Sequence, residues 1–383
     1  MANSSDVLIA GGGIIGCSIA YHLAQLGIKS TIIERESIGS QASGAATGLL
    51  VSLRESGAPE YFTRLIEESC KRHREIIPEV EELSKVDAQY GDFAWTEIAC
   101  SDEEESELKK AFSEVMDLSI ASWLSEPDLR EMESRVTSDA IGGVYIGGQG
   151  QVDAYRLTLA FAQAAEALGV TIRYGEVTGL RTEAGRVTGL DTSLGPMDSD
   201  TVVLAIGSWS KRIEEWIDMD VPVEPLKGQT IHVEIPGPEL PCMIHHVDRY
   251  VAPKLGGTVI TGTYDGFMGF DTSIHEQGIA KISEGVQSLC PGILESRVVS
   301  HVTGLRPASA DWLPILGAVP SVQGAYIATG HQRLGITLSA ITGELMSQLI
   351  NDGKPRLDLH PFRLDRFEGV TVEMVRDRFG AVH

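Results

Sequence analysis

One stretch near the start of the chain restricts its fold more than any other. The apolar run Val7-Leu8-Ile9-Ala10 leads into Gly11-Gly12-Gly13-Ile14-Ile15-Gly16, then a helical stretch to about Leu26, a second run Ser30-Thr31-Ile32-Ile33, and Glu34. The order reads as strand, tight turn, helix, strand, acid. Gly11 supplies the turn out of the strand. A side chain at Gly13 would keep the backbone from approaching a pyrophosphate, and Gly16 lets the helix press against the sheet. The helix N-terminus offers N–H groups and partial positive charge to phosphates. Glu34 ends the second strand, where a carboxylate can accept both ribose hydroxyls. The unit predicts an adenine dinucleotide site, and the acid argues against a 2′-phosphate and so against NADP. It leaves FAD and NAD both open.

A chain of 383 residues has room for two domains or one large one around an ample core. With 31 basic and 54 acidic residues the net charge is −23, which disfavours nucleic acid and anionic membrane as partners. The acid concentrates between Glu55 and Glu133, including Asp102-Glu103-Glu104-Glu105, and reads as a solvated helical surface. Cysteines 17, 70, 100, 242 and 290 show neither CxxC nor metal-ligand spacing, so no metal is expected and a reducing cytoplasm fits best. No charged segment followed by a long apolar one opens the chain, and no apolar run approaches the roughly 18 residues of a membrane span. The expectation is a soluble, cytoplasmic protein without a transmembrane segment.

Small residues dominate Ser37 to Leu50, where they would let backbone lie close to a bulky planar group or allow tight helix packing. Helical spacing runs from about Tyr61 to Leu83, and residues 87 to 135 mix a short strand at Phe93 and Trp95 with two charged helices. Gly142 to Ile146 leads to an amphipathic helix from about Ala154 to Leu168, then strands at Val170–Tyr174, Val177–Arg181 and Arg186–Thr192. Thr201 to Gly207 reads as a buried strand whose Ala205-Ile206-Gly207 end lets backbone approach a nucleotide. From Pro222 to about Cys290, strand-like runs (Gln229–Val233, Tyr250–Pro253, Thr258–Thr263) between turns suggest an antiparallel sheet in a second domain. A strand at 324–328, the loop Thr329 to Ile336 and a helix from about Thr337 to Leu349 close the chain. That glycine-bounded loop opening onto a helix is a second anion-stabilising device. NAD alone would not need it, whereas a reduced flavin ring, negative near N1 and O2, would.

These pieces together resemble the D-amino-acid-oxidase-like flavoenzymes, most closely the glycine oxidase and sarcosine oxidase branch. The matching stretches are Gly11 to Gly16, Ser43 to Gly48, Ala205 to Ser210, Pro225-Leu226-Lys227-Gly228-Gln229, Gly304-Leu305-Arg306-Pro307 and Gly330 to Ile336. The resemblance implies an α/β protein with a Rossmann-like FAD-binding domain (1–86, 141–221 and 301–383) and a discontinuous, mainly antiparallel substrate domain (87–140 and 222–300). It implies FAD held non-covalently, since no cysteine matches the flavin-linked one of related sarcosine oxidases. Gly11, Gly13, Ile14, Ile15 and Gly16 would serve the pyrophosphate, Glu34 and Arg35 the ribose side, and Val177 the adenine. Ala42, Ser43, Thr47, Gly48 and Leu49 would lie along the isoalloxazine. Ala205, Gly207, Trp209, Gly304, Arg306, Gly330, His331, Arg333, Leu334, Gly335, Ile336 and Thr337 complete the implied lining.

By the same resemblance Arg306 clamps the substrate carboxylate, with Tyr250 assisting and Arg333 nearby. The chemistry suits arginine for its parallel donors and permanent charge. The implied reaction is oxidative deamination or demethylation of glycine, sarcosine or a D-amino acid. Hydride passes from Cα to flavin N5, and the imine hydrolyses to a 2-oxo acid and an amine. Dioxygen, giving H2O2, or a quinone or electron-transfer partner takes the electrons, and self-association is usual in the family. The charged His245-His246-Val247-Asp248-Arg249 and the wall stretch Thr263 to Met268 leave the particular amino acid open. Two alternatives stand beside this. One is oxidation of a 2-hydroxy acid, which needs a base such as His331, with His245, His246 and His301 behind it. The other is a flavin-binding subunit without catalysis.

Overall fold

A computed structural model describes residues 6–52, 58–115, 120–370 and 376. Its first half runs β1 (Val7–Ala10), α1 (Ile14–Gln25), β2 (Ser30–Glu34), β3 (Leu49–Leu50), α2 (Glu60–Ser84), β4 (Gly91–Ala99), α3 (Asp102–Val115), β5 (Ala121–Ser125), α4 (Glu126–Met132), β6 (Gly142–Gln151), α5 (Ala154–Ala167) and β7 (Thr171–Tyr174). Then come β8 (Val177–Glu183), β9 (Arg186–Thr192), β10 (Met197–Asp198), β11 (Val202–Leu204), α6 (Glu214–Ile217), β12 (Val223–Glu234) and β13 (Met243–His246). β14 (Arg249–Pro253), β15 (Thr258–Gly266), α7 (Glu276–Leu289), β16 (Arg297–Ser309), β17 (Ile315–Ala318), β18 (Ala325–Thr329) and α8 (Gly335–Asp352) complete the order.

Two large sheets share the work. The first has the order β17-β18-β11-β1-β2-β7, parallel except where β17 meets β18. Its central strands are buried on both faces, which is why Val7–Ala10 and Ile32–Ile33 read as unbroken apolar runs. α1, covered by α5 and α8, is buried almost all round. α2 buries one face through Phe62, Leu65, Ile66, Ser69, His73, Ile76, Ile77 and Val80, the helical spacing expected from sequence. A small antiparallel sheet, β10-β9-β8, stands apart.

The second large sheet has nine strands, ordered β16-β12-β15-β14-β13-β4-β6-β3 with β5 on β6. All its pairings are antiparallel except β13 with β4. β6 and the whole of β16 belong to it rather than to the parallel sheet, β16 beside β12 and β6 beside β4.

Two local readings change. The stretch from Pro222 to Cys290 is not all sheet. Its end forms α7, whose buried Gly278, Ile282, Gly285, Val286 and Leu289 carry a helical period that the strands before it overshadow, and α7 covers β14 and β15. The strand expected over Thr201–Gly207 stops at Leu204, because the backbone turns at Gly207 (φ 56°) into a 3₁₀ segment. Among the described residues no helix is long and apolar enough to cross a membrane.

Candidate active site

The N-terminal turn is built by close backbone approach. A Cβ at Gly11 would stand 2.4 Å from the Ala205 carbonyl oxygen, and one at Gly16 2.0 Å from that of Gly11. Strand β1, the end of β11 and the first turn of α1 therefore crowd into one corner that only glycine permits. The Gly12 N–H donates to Glu34 Oε2 (2.7 Å) and the Glu36 N–H to Oε1 (2.8 Å), so the carboxylate is fixed at the strand end. Gly13 caps α1 without a side-chain hydrogen bond, and the helix has no acidic residue in its first turn. α8 likewise begins without a side-chain cap or an acid in its first turn. Two helix ends without a neutralising acid and a fixed carboxylate suit the pyrophosphate, the flavin and the ribose of FAD.

The distant segments converge on Ala42–Leu49. Thr337 Oγ1 donates to the Leu49 carbonyl (2.8 Å), tying the start of α8 to this loop. A Cβ on Gly304 of β16 would come within 2.7 Å of Ala45 Cβ. Ser43 Oγ accepts the Ile14 N–H (3.0 Å), and Thr47 Oγ1 lies 3.2 Å from the Tyr250 hydroxyl. Lys254 adds a clamp not anticipated from sequence. Its ammonium donates to the carbonyls of Thr47 (2.9 Å) and Val152 (2.8 Å), and burial pulls its pKa down to about 8. At Gly48 (φ 80°) a Cβ would strike the Val152 carbonyl at 2.1 Å, so this tight corner again requires glycine.

Arg306 occupies the same face. Its Nη1 lies 2.7 Å from Asp265 Oδ2, the two side chains being 22% and 16% exposed. They stand on β16 and β15, the two strands flanking β12. Gly228 of β12 pairs with Asp265, and a Cβ there would lie 2.6–2.8 Å from the guanidinium atoms. This is why Lys227-Gly228-Gln229 needs its glycine. Burial alone would lower the Arg306 pKa, but the Asp265 charge and hydrogen bond outweigh it, and the guanidinium is held more firmly charged. Burial pushes the Tyr250 phenol up, against the Thr47 hydrogen bond and the Arg306 charge. Asp265 stood in sequence only as part of the wall stretch. The other oxygen of its carboxylate, Oδ1, is buried and has no hydrogen-bond partner among the described residues. Behind β12, Lys227 is fully buried and donates to Asp271 Oδ2 (3.1 Å) and the Ser273 carbonyl (2.6 Å). That network pins residues 271–275 beside the sheet.

The other expected residues have partners of their own. His331 is buried, and its Nε2 lies 3.2 Å from Thr342 Oγ1 of α8. Burial lowers its pKa to about 3, so it is a packing residue of α8 and an ill-suited base. His245 and His246 are engaged with Glu97 and Glu104, and His301 is exposed. Arg333 has an exposed side chain in the turn before α8, beside Leu334, Gly335 and the buried Ile336. The Arg35 guanidinium lies 4.5 Å from the Trp209 ring, which stacks on Phe270 at 5.2 Å. Val177 is buried at the start of β8, and Gly330 (φ 72°) turns the chain out of β18. Cys100, Glu104 and His246 come within 4.8 Å of one another despite their scatter in sequence. Glu104 there accepts the Cys100 N–H (2.7 Å) and pairs with His246 (3.1 Å), at the start of α3.

The whole arrangement has known counterparts. The family model for FAD dependent oxidoreductases matches residues 6–349. Glycine oxidase of Geobacillus kaustophilus is 32% identical over 373 residues, covering 96% of this chain and 99% of the relative. Hydrogen cyanide synthase subunit HcnC of Pseudomonas aeruginosa is 29% identical over 410 residues, covering 96% and 97%. The crystal structure of glycine oxidase from Bacillus cereus shares the fold with a TM-score of 0.87 at 32% identity, over 94% of this chain and 98% of that one. Matches of this length leave no part of the convergence outside a shared frame, and the chain belongs to the FAD-dependent oxidoreductase family, as an FAD-binding enzyme acting on the CH–NH group of amino acids.

Proposed function

We propose that the chain oxidises a small α-amino acid of the glycine or sarcosine type to a 2-oxo acid and an amine. The observation that supports this most is the position of Arg306. Its guanidinium is largely enclosed, stays charged, and shares one sheet face with Tyr250 beside the Ala42–Leu49 loop. A carboxylate is the group such a fork recognises. The parallel sheet with α1 and α8 serves the cofactor in this reading, and the face of the nine-stranded sheet serves the substrate.

Gly11 to Gly16, Glu34, the 42–49 loop and the start of α8 would hold FAD, which when bound supplies a two-electron acceptor for hydride from the substrate Cα. Arg306 holds the carboxylate through donors that Asp265 leaves available. Tyr250 supports that clamp, and the enclosing walls keep Cα in one orientation. No protein base is needed for a neutral amine, because its lone pair drives hydride departure. Oxidation of a 2-hydroxy acid needs a base, and His331, neutral and turned toward Thr342, is not placed to serve.

The test is an anaerobic screen of the purified holoenzyme with glycine, sarcosine, proline, D-alanine and 2-hydroxyglutarate, following flavin absorbance. Bleaching by an amino acid supports the reading. Bleaching by 2-hydroxyglutarate alone would replace it, and no bleaching by any of them would favour a non-catalytic flavoprotein.

A further inference from the structure

We propose that Asp265 is a substrate-binding residue whose second carboxylate oxygen receives an N–H of the substrate amino group, so that the pocket selects zwitterions over plain carboxylates. The inference rests on the amino acid oxidation proposed above and identifies what reads the amine.

Three observations carry it. Arg306 uses only Asp265 Oδ2, at 2.7 Å, while Oδ1 is buried without a partner among the described residues. A buried carboxylate oxygen with no donor is costly, and the cost vanishes when a ligand brings one. The pair also sits beside Tyr250, whose phenol feels both charges and reaches Thr47, so a group held by Arg306 lies on the face that carries Asp265. Finally, the charges match. A bare carboxylate on Arg306 would place a second negative charge beside Asp265, whereas a zwitterion puts its anionic end on the guanidinium and its cationic end on the aspartate. The sheet holds that spacing fixed, because Gly228 leaves the space over which the guanidinium and the carboxylate meet.

Two other roles for Asp265 make different forecasts. If it only steadies the guanidinium, its loss weakens every carboxylate ligand alike. If it acts as a plug over Arg306, its loss strengthens every such ligand.

The experiment compares holoenzyme and Asp265→Asn, both reduced with dithionite under anaerobic conditions so that no turnover occurs. Binding is measured by calorimetry for glycine and for propionate, which carries a methyl group where glycine has its ammonium. A second pair, sarcosine and butyrate, is run in parallel. The wild type is expected to favour each amino acid over its isostere by about 10- to 100-fold, the scale of one hydrogen bond to a charged group. Asp265→Asn should lose about that factor for the amino acid while binding the isostere as well as before or better. Loss of both ligands by the same factor, gain of both, or no change in either overturns the proposal. Asp265→Ser, checked like the Asn variant for retained yellow flavin, provides a second test should the first fold poorly. Should amino acids bleach the wild-type flavin while the binding ratio stays unmoved, this inference alone fails. If none bleaches it, the amino acid reading fails and takes this one with it.

Discussion

Arg306 and Asp265 stand on strands that do not touch each other, β16 and β15, yet their side chains meet at 2.7 Å over the bare backbone of Gly228 on the strand between. The contact depends on a missing side chain. A methyl group at 228 would stand 2.6–2.8 Å from three guanidinium atoms, inside van der Waals contact, and the arginine would have to leave its position. Displacement of a clamping group by about 1 Å costs on the order of 100-fold in rate. Gly228→Ala should therefore keep its flavin and fold and lose about 10- to 100-fold in kcat/KM. Steady-state kinetics on the substrate found by the anaerobic screen check this, and wild-type values would show that the guanidinium has room to spare.

Arg306 itself permits a sharper comparison. Arg306→Ala leaves the Asp265 carboxylate without its cation and removes the fork for the substrate. Losing one member of such a pair costs about 2–5 kcal/mol, or some one and a half to three and a half decades. The variant should still bind FAD, because the nucleotide turn, Glu34 and the α8 start are untouched. Arg306→Lys keeps the charge but not the parallel donors, so it should recover only part of the loss. The measurement is kcat/KM for all three proteins beside their flavin absorbance spectra.

How much of this could be read from the chain differs from residue to residue. The nucleotide corner was legible because each of its parts is local. Gly11, Gly13 and Gly16 lie within six residues, and Glu34 follows at a fixed distance set by one helix and one strand. The meeting of Leu49 with Thr337 could be suspected only from the resemblance, since nothing in either segment specifies a partner 288 residues away. Asp265 was visible only as one polar residue in the wall stretch Thr263 to Met268. Its importance comes from the register that sets it opposite Gly228, and strand register is a tertiary property. Lys254 follows a strand end with nothing local to mark it, and its role comes from two carbonyl partners that lie far off in sequence. His331 shows a different dependence. Its place in Gly330-His331-Gln332-Arg333 leaves a base, a flavin-side group and a packing residue all open, and only the tertiary contact of its ring with Thr342 separates the first of these from the others.

Tyr250 tests how much a neutral group adds to the clamp. Its hydroxyl reaches Thr47 Oγ1 at 3.2 Å, joining the substrate sheet to the 42–49 loop. One neutral hydrogen bond is worth about 1 kcal/mol, roughly a fivefold change. Tyr250→Phe should raise KM or lower kcat/KM by about that factor, with stability reduced by a similar ~1 kcal/mol. Denaturant unfolding and steady-state kinetics measure the two effects separately. A loss of 100-fold or more would mean that the hydroxyl touches the reacting atoms rather than supporting Arg306.

The helices behind α8 predict how the enzyme responds to acid. His73 of α2 donates from Nε2 to the carbonyls of Ile336 (3.0 Å) and Thr337 (3.2 Å), in the first turn of α8, while its Nδ1 is buried without a partner among the described residues. His22 of α1 donates from Nδ1 to the Ser18 carbonyl (2.8 Å), and its Nε2 is likewise unpartnered. Protonating either ring would create a buried charge whose new N–H has no acceptor. Burial accordingly lowers both pKa values to about 4, and that of His331 to about 3, from an ordinary 6.5. As pH falls below 6.5 the unfolded chain binds protons that the folded chain refuses, so stability is lost on acidification. Each ring contributes about 1.4 kcal/mol per pH unit in that window. The loss begins before carboxylates titrate, and it levels off for each ring near its folded value. His73→Gln keeps an N–H that can serve the α8 carbonyls and removes the titration. Its unfolding free energy should therefore fall less steeply than the wild type's between pH 6.5 and 5, by close to one histidine's share. Parallel slopes for the two proteins would place the acid sensitivity elsewhere. Because His73 grips the turn where α8 meets the cofactor loop, FAD should also dissociate earlier on acidification in the wild type than in the variant, which ultrafiltration of the yellow protein across the same pH range would show.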